Sequence, residues 1–197
     1  MPGFHDALLW LQQNLVEIIA VITGLLYVVL TIREKILLWF FGIISSALYI
    51  YIFLKSGIYA YSLLYVYYVM IGFYGWYNWY RKSDEPSLKI RKASVTLLIV
   101  CIVATLILAL PVYFGLKSFT DSDMAMTDAL LTSGGIVATW MLTQKYIEQW
   151  IFWVIIDLVS FGAMIYKGLF PSSVLFMVYT ILAVKGYVEW RKTLTTS

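Results

Sequence analysis

Residues 145–166 read KYIEQWIFWVIIDLVSFGAMIY. From 150 onward the run is predominantly apolar, with one acidic or basic side chain, Asp157, near its centre. A helix in a soluble domain keeps a polar face. A run of membrane length that lacks one reads as a span. A carboxylate at mid-membrane depth costs at least about 2.5 kcal/mol and normally turns to the protein interior. At helical spacing Asp157 shares a face with Trp153 (i−4), Trp150 (i−7) and Tyr146 (i−11). Two indoles and a carboxylate on one stripe suit a flat cation, held by cation–π attraction and by charge pairing. The competing reading makes Asp157 a structural hydrogen-bonding group and the tryptophans packing.

The rest of the chain fits the same solvent. Of 197 residues, 62% are hydrophobic and 13% charged, and mean hydropathy is +0.84. Soluble domains carry about 25% charged residues. Seven apolar runs reach membrane length, near 15–32, 36–54, 58–80, 95–115, 125–143, 147–166 and 171–190. Residues 4–14 precede them, with Phe4, Ala7, Leu8 and Leu11 at helical spacing, and read as a short helix on the membrane surface. No cleavable signal is expected, because the stretch before the first span is acidic and no small-residue cleavage site follows that span before the next. The net charge of +3 does not imply nucleic acid, since the basic residues sit in loops between spans. Cys101, alone, excludes an internal disulfide.

Basic loops set the orientation. Arg33, Lys35, Arg81, Lys82, Lys89, Arg91, Lys92, Lys145, Arg191 and Lys192 fall on one side, and Lys55, Lys117 and Lys167 on the other. The N-terminus is therefore expected outside and the C-terminus in the cytoplasm. Residues 81–94, with Pro86, read as a basic cytoplasmic linker, and Lys117–Asp128, with Asp121, Asp123 and Asp128, as an outer loop.

A shift of 111 residues superposes Gly24 on Gly135, Trp39 on Trp150, Gly57 on Gly168, Tyr68 on Tyr179, Gly75 on Gly186 and Trp79 on Trp190. An odd span, the fourth, separates the two copies, so both run the same way through the membrane. The expected architecture is all-α: a parallel repeat of 3+1+3 form, with residues 15–80 and 116–190 as the three-helix units and 95–115 as the linker helix. In transporters built this way the ligand sits near the midplane between the repeats.

Further candidates follow from depth. In span 3, Tyr61, Tyr65 and Tyr68 offer aromatic faces and hydroxyls, with Gly72 leaving room. Tyr179 is the counterpart of Tyr68, and Gln149 adjoins Trp150. Ser45 and Ser46 lie at the depth that matches Asp157, where serine more often serves close helix packing. Asp128 opens span 5, as a helix N-terminal carboxylate or as an outer vestibule group. Lys185 reads as a snorkelling side chain, and Glu148 and Glu189 as solvated. His5 is the sole histidine, and no metal cluster, phosphate loop, nucleophile–base pair or ATP motif is present. Neither a cofactor nor enzyme activity is expected.

The stretches Gly24-Leu25-Leu26-Tyr27, Trp39-Phe40-Phe41-Gly42-Ile43-Ile44, Tyr74-Gly75-Trp76-Tyr77-Asn78-Trp79 and Lys145-Tyr146-x-Glu148-x-Trp150-x-x-Trp153-Val154-Ile155-Ile156 resemble the PnuC family of bacterial vitamin transporters over nearly the whole chain. The resemblance implies a SWEET-like 3+1+3 fold in the bacterial inner membrane and facilitated diffusion with phosphorylation trapping. It also implies a homotrimer and a functional link to a soluble cytoplasmic vitamin kinase that need not touch the transporter. Family members that carry nicotinamide riboside typically have Gln where Tyr65 stands, Asn where Gly72, Asp157 and Ser45 stand, and Trp near Thr127. Loss of those amides makes this chain most similar to the thiamine-carrying PnuT branch. Thiamine is therefore the expected substrate, with nicotinamide riboside the alternative. On this expectation the vitamin stacks on Trp150, Trp153 and the tyrosines of span 3, and pairs its cation with Asp157. A sugar uniporter gives no reason for Asp157. A retinal protein is disfavoured by Lys185, too near the cytoplasmic face, and a membrane enzyme or assembly subunit by the missing catalytic group.

Overall fold

The computed structural model of the chain describes residues 15–55, 59–81, 88–120 and 122–196. The expected surface segment 4–14 and residues 82–87 of the 81–94 linker lie outside the described residues. Those described form seven helices: α1 (Leu15–Ile32), α2 (Leu37–Lys55), α3 (Tyr59–Arg81), α4 (Val95–Phe119), α5 (Ala125–Thr143), α6 (Gln149–Tyr166) and α7 (Phe170–Thr196). Two helices outrun expectation. The linker helix α4 continues past 115 to Phe119, through Pro111, whose ring sits on an exposed face beside Ile107 and Leu110. Membrane helices tolerate such a proline. At the C-terminus, α7 continues past 190 to Thr196.

By length and composition five helices can cross a membrane: α1, α2, α4, α6 and, over Ser172–Thr195, α7. The other two, α3 with 23 residues and α5 with 19, rise about 34 and 28 Å at 1.5 Å per residue. Each therefore has about the length of a bilayer core. Their lower hydropathy has separate causes. α3 is loaded with Tyr and Trp, while α5 carries Thr, Ser and Gly and buries eleven of its residues. A helix enclosed by protein needs small, close-packing side chains rather than a lipid-soluble surface. α4 is the opposite case, exposing Val95, Ile99, Val103, Leu106, Leu110 and Phe114.

The chain divides into two compact units, 1–76 and 77–197, with the boundary inside α3. In the first, α1 packs on α2. Gly42 admits the Tyr27 ring, and the Ser45 hydroxyl donates to the Ala20 carbonyl at 2.9 Å. Trp39 lies against Gly75 and Ile43 against Gly72, joining α2 to α3. In the second unit α4 packs on α5, α5 on α6 and α6 on α7. Ala109, Leu116, Ala125 and Ala129 form one core cluster, and Cys101, Val137 and Met141 another.

Helix ends recur at the 111-residue shift. Lys55 and Tyr166 end α2 and α6, and Tyr59 and Phe170 begin α3 and α7. The turns recur as well. Glu34 (φ 52°) and Lys145 (φ 54°) are left-handed at equivalent positions. Around them Lys35 N–H donates to Leu30 C=O and Glu34 N–H to Thr31 C=O, as Tyr146 does to Met141 and Lys145 to Leu142. This is the Schellman arrangement of a helix C-terminus, built both times without glycine. Gly168 (φ 71°) supplies the usual residue at the end of α6.

Candidate substrate-binding residues

The turn at Lys145 changes the stripe on which the site was expected. A left-handed residue cannot continue a helix, so α6 starts at Gln149. Tyr146 is thereby removed from the helical face of Asp157. It lies instead in the turn, its ring 4.3 Å from the Arg91 guanidinium and 6.3 Å from the Trp140 ring. The turn is tied to the segment before α4. Arg91 N–H donates to Lys145 C=O, Ile147 N–H donates to Arg91 C=O, and Arg91 also donates to the carbonyl and the side-chain oxygen of Gln144. Glu148 was expected in solvent but accepts the Ala93 N–H at 2.9 Å. Asn78 reaches the same turn from α3, donating to Thr143 C=O at 2.7 Å, and Lys145 Nζ sits 4.4 Å over the Trp79 ring.

Within α6 the buried polar face comprises Gln149, Asp157 and Ser160, with Trp150 buried at its edge and Trp153 half-buried. At 100° per residue these five fall within about 100° of arc. Asp157 is 7% exposed and has no hydrogen-bond or ion-pair partner among the described residues. A carboxylate at that depth is unfavourable as an ion unless a cation joins it. Gln149 is fully buried, and neither its Oε1 nor its Nε2 has a partner among the described residues. The same holds for Ser133 Oγ on α5 and Trp150 Nε1.

Trp150 is 3% exposed and wedged into α7. A Cβ at Gly186 would lie 2.5 Å from its indole, and its ring meets Trp190 edge-on at 5.7 Å. It therefore offers no open stacking face, contrary to the expectation. Trp39 makes the same wedge against Gly75, so the pair Trp150 and Gly186 belongs to the repeated scaffold. Trp153, less buried, keeps an aromatic surface on the Asp157 side of the helix.

The other candidates are dispersed. Ser45 is engaged with Ala20 and packs beside Gly24. Tyr65 lies in an aromatic cluster of the first unit, 4.9 Å from Tyr49, 5.4 Å from Phe53 and 5.5 Å from Tyr68. The Tyr61 side chain lies outside the described residues. Tyr179 packs near Phe176 on α7 at 6.4 Å. Asp128 accepts from the Ser122 hydroxyl at 2.7 Å in the first turn of α5. Lys185 is exposed on α7. Just before α5, Asp123 pairs with Lys167 at 2.9 Å, and the Lys167 hydrogen bond holds its carboxyl below the usual carboxylate range. Among the described residues no three of His, Cys, Asp and Glu are grouped to hold a metal.

Ser133 and Ser160 escape the sequence reading. A serine on a membrane helix gives no sign of whether its hydroxyl is satisfied, and only the packed structure isolates Ser133. The isolation of Gln149 did have a signal, because the 111-residue shift sets it opposite Leu38.

Comparison with known proteins bears on what this stripe serves. The sequence model of a family described as nicotinamide mononucleotide transporter matches residues 14–192. The nicotinamide riboside transporter PnuC of Escherichia coli (strain K12) is 30% identical over 89% of this chain and 84% of its own length. That of Haemophilus influenzae is 28% identical over 87% and 76%, and that of Neisseria mucosa 25% identical over 88% and 71%. The crystal structure of the vitamin B3 transporter PnuC superposes with a TM-score of 0.76 over 96% of this chain and 86% of that one, at 22% identity. That last likeness speaks to the fold alone.

Proposed function

Since the chain belongs to the PnuC family of multi-pass membrane vitamin transporters, we propose that it carries nicotinamide riboside across the bacterial inner membrane by facilitated diffusion. The carrying observation is Asp157 on α6, the one carboxylate buried among the described residues. Nicotinamide riboside holds a permanent positive charge on its pyridinium ring. Paired with Asp157 and laid against Trp153, that ring meets the charge requirement of the carboxylate and gains a cation–π contact. The names of the relatives favour this vitamin over thiamine, the substrate first expected from the sequence. Phosphorylation of the product in the cytoplasm would keep uptake downhill without ion coupling, which makes a soluble vitamin kinase the functional partner. The 3+1+3 parallel repeat, an outside N-terminus and a homotrimer belong to the same proposal. The first of these draws support from the helix ends and turns that recur at 111 residues.

Thiamine is the second reading. It too is a planar cation, and the position of Tyr65 is aromatic where the resemblance leads one to expect an amide in nicotinamide riboside carriers. A titration of the purified protein with nicotinamide riboside, thiamine and riboflavin, read by Trp fluorescence, separates the readings. Tight binding of nicotinamide riboside with weak thiamine binding is the expected result. The reverse order makes thiamine the substrate. Preference for uncharged riboflavin overturns the role given to Asp157, as does an Asp157→Asn variant that binds the cation with unchanged affinity.

A further inference from the structure

We propose that Gln149 is a substrate-recognition residue, its side-chain amide reserved for the planar donor–acceptor edge of the heteroaromatic ligand. This rests on the assignment of a cationic heteroaromatic vitamin to the α6 stripe and adds the group that reads the ligand's other end.

Three observations carry it. First, the amide is fully buried and both its polar atoms lack partners among the described residues. Burying an unmade donor and acceptor together is costly, and natural interiors avoid it. Gln149 does not cap α6, whose first turn has no side-chain cap bond from Glu148 either.

Second, the fold does not require an amide there. The repeat-equivalent residue is Leu38, also fully buried. It sits beside an equivalent tryptophan wedged against an equivalent glycine, and after an equivalent left-handed turn. A position that accepts leucine in one unit and an unsatisfied glutamine in the other has exchanged a compatible residue for an unfavourable one. Such exchanges are expected at functional sites.

Third, the placement fits. Gln149 shares its arc with Trp153 and Asp157 and lies two turns away from the carboxylate, a rise of about 12 Å. A contact of about 3 Å at each end leaves about 6 Å. That suits the separation between a ring cation and a carboxamide or aminopyrimidine edge within one small ligand. An amide presents one donor and one acceptor side by side, complementary to either edge. The amide is sealed in this structure, so ligand pairing also requires the α6 stripe to open.

The test compares wild type with Gln149→Leu, which copies the residue at position 38, and Gln149→Met, which keeps the side chain's length. Each is titrated with two pairs of compounds: nicotinamide riboside and its carboxylic-acid analogue, and thiamine and its analogue with the pyrimidine amino group replaced by oxygen. Both variants are expected to fold with a thermal midpoint at or above wild type. Affinity for the amide- or amine-bearing compound should fall about tenfold or more, as for a site that loses its hydrogen-bonding partner. Discrimination within the pair should collapse. The pair that loses discrimination identifies which edge Gln149 reads. Unchanged affinity and discrimination in a folded variant overturn the proposal, and so does failure of both variants to fold, since that makes the amide structural. Wild type that binds no member of either pair sinks the cationic-vitamin reading itself, a result distinct from failure of Gln149 alone.

Discussion

Single residues in this chain divide sharply by the room left for them. Gly186 has none: the Trp150 indole occupies the place where a Cβ would go, at 2.5–2.6 Å. Trp150 is buried against Trp190 as well, so its ring cannot swing away freely. Overpacking of a closed core costs about 1–3 kcal/mol. Gly186→Ala should accordingly lower the thermal midpoint of the detergent-solubilised protein by several degrees. Gly162→Ala is the control, because no atom lies within 4 Å of its Cβ position and alanine favours helix. Equal midpoints for the two variants would refute the wedge. The same contact explains why the role of Trp150 was hidden in the sequence. A tryptophan two turns from a buried Asp looks like a ligand platform until the glycine beneath it, on a different helix, is known. The burial of Asp157 was legible because a charge at mid-span normally turns to the protein interior. Tyr146 was misplaced because its spacing from Asp157 assumed a helix that a left-handed lysine interrupts.

Among the elements, α4 and α5 have opposite surroundings. α4 shows lipid-compatible side chains on most of its surface, and α5 is more than half buried. Cysteines placed singly at Ile99, Val103 and Leu106 should react with a membrane-soluble thiol reagent in vesicles. Cysteines at Ala129, Ser133 and Val137 should be protected by an order of magnitude or more in rate. Equal reactivity would mean that α5 also faces lipid. Hydropathy identified α4 readily and ranked α5 low for the very reason that protein surrounds it. The seven helices were legible from run length and charge, whereas their ends depended on turn hydrogen bonds that composition does not announce. The turn after α6 offers a pH test. The Asp123 carboxyl is held below its usual range by Lys167. A depressed acid stabilises the fold above its ordinary titration range and loses that contribution as pH falls through the lowered value. The thermal midpoint of wild type should therefore drop more on acidification to about pH 3 than that of Asp123→Asn. The difference should shrink in high salt, as for any exposed pair. A wild type and variant that respond identically to pH would leave the pair without a stabilising role.

Across the whole molecule, the proposed topology rests on the 111-residue recurrence and on the distribution of charge. On the proposed reading all seven helices span, which would put the termini on opposite sides. Ten of the thirteen Lys and Arg residues counted in loops or at helix ends fall on one face of the expected topology. The positive-inside bias assigns that face to the cytoplasm. Several of these cations have specific partners as well. Arg91 holds the α5–α6 turn, and Lys145 covers Trp79. The rule reads charge without regard to such contacts, so an independent measurement of orientation has value. A reporter fused after Ser197 that fluoresces only in the cytoplasm should be bright, and a reporter active only outside should be silent there. A small tag before Met1 should be accessible to antibody in spheroplasts without permeabilisation. Neutralising Arg91 alone tests which role dominates. Arg91→Gln removes one charge of ten, too few to invert the topology, but takes the guanidinium from Gln144 and Tyr146. The expected outcome is unchanged reporter signal with faster proteolysis in the 81–94 linker. An inverted reporter in that variant would mean that the charge, rather than the contact, is what Arg91 supplies.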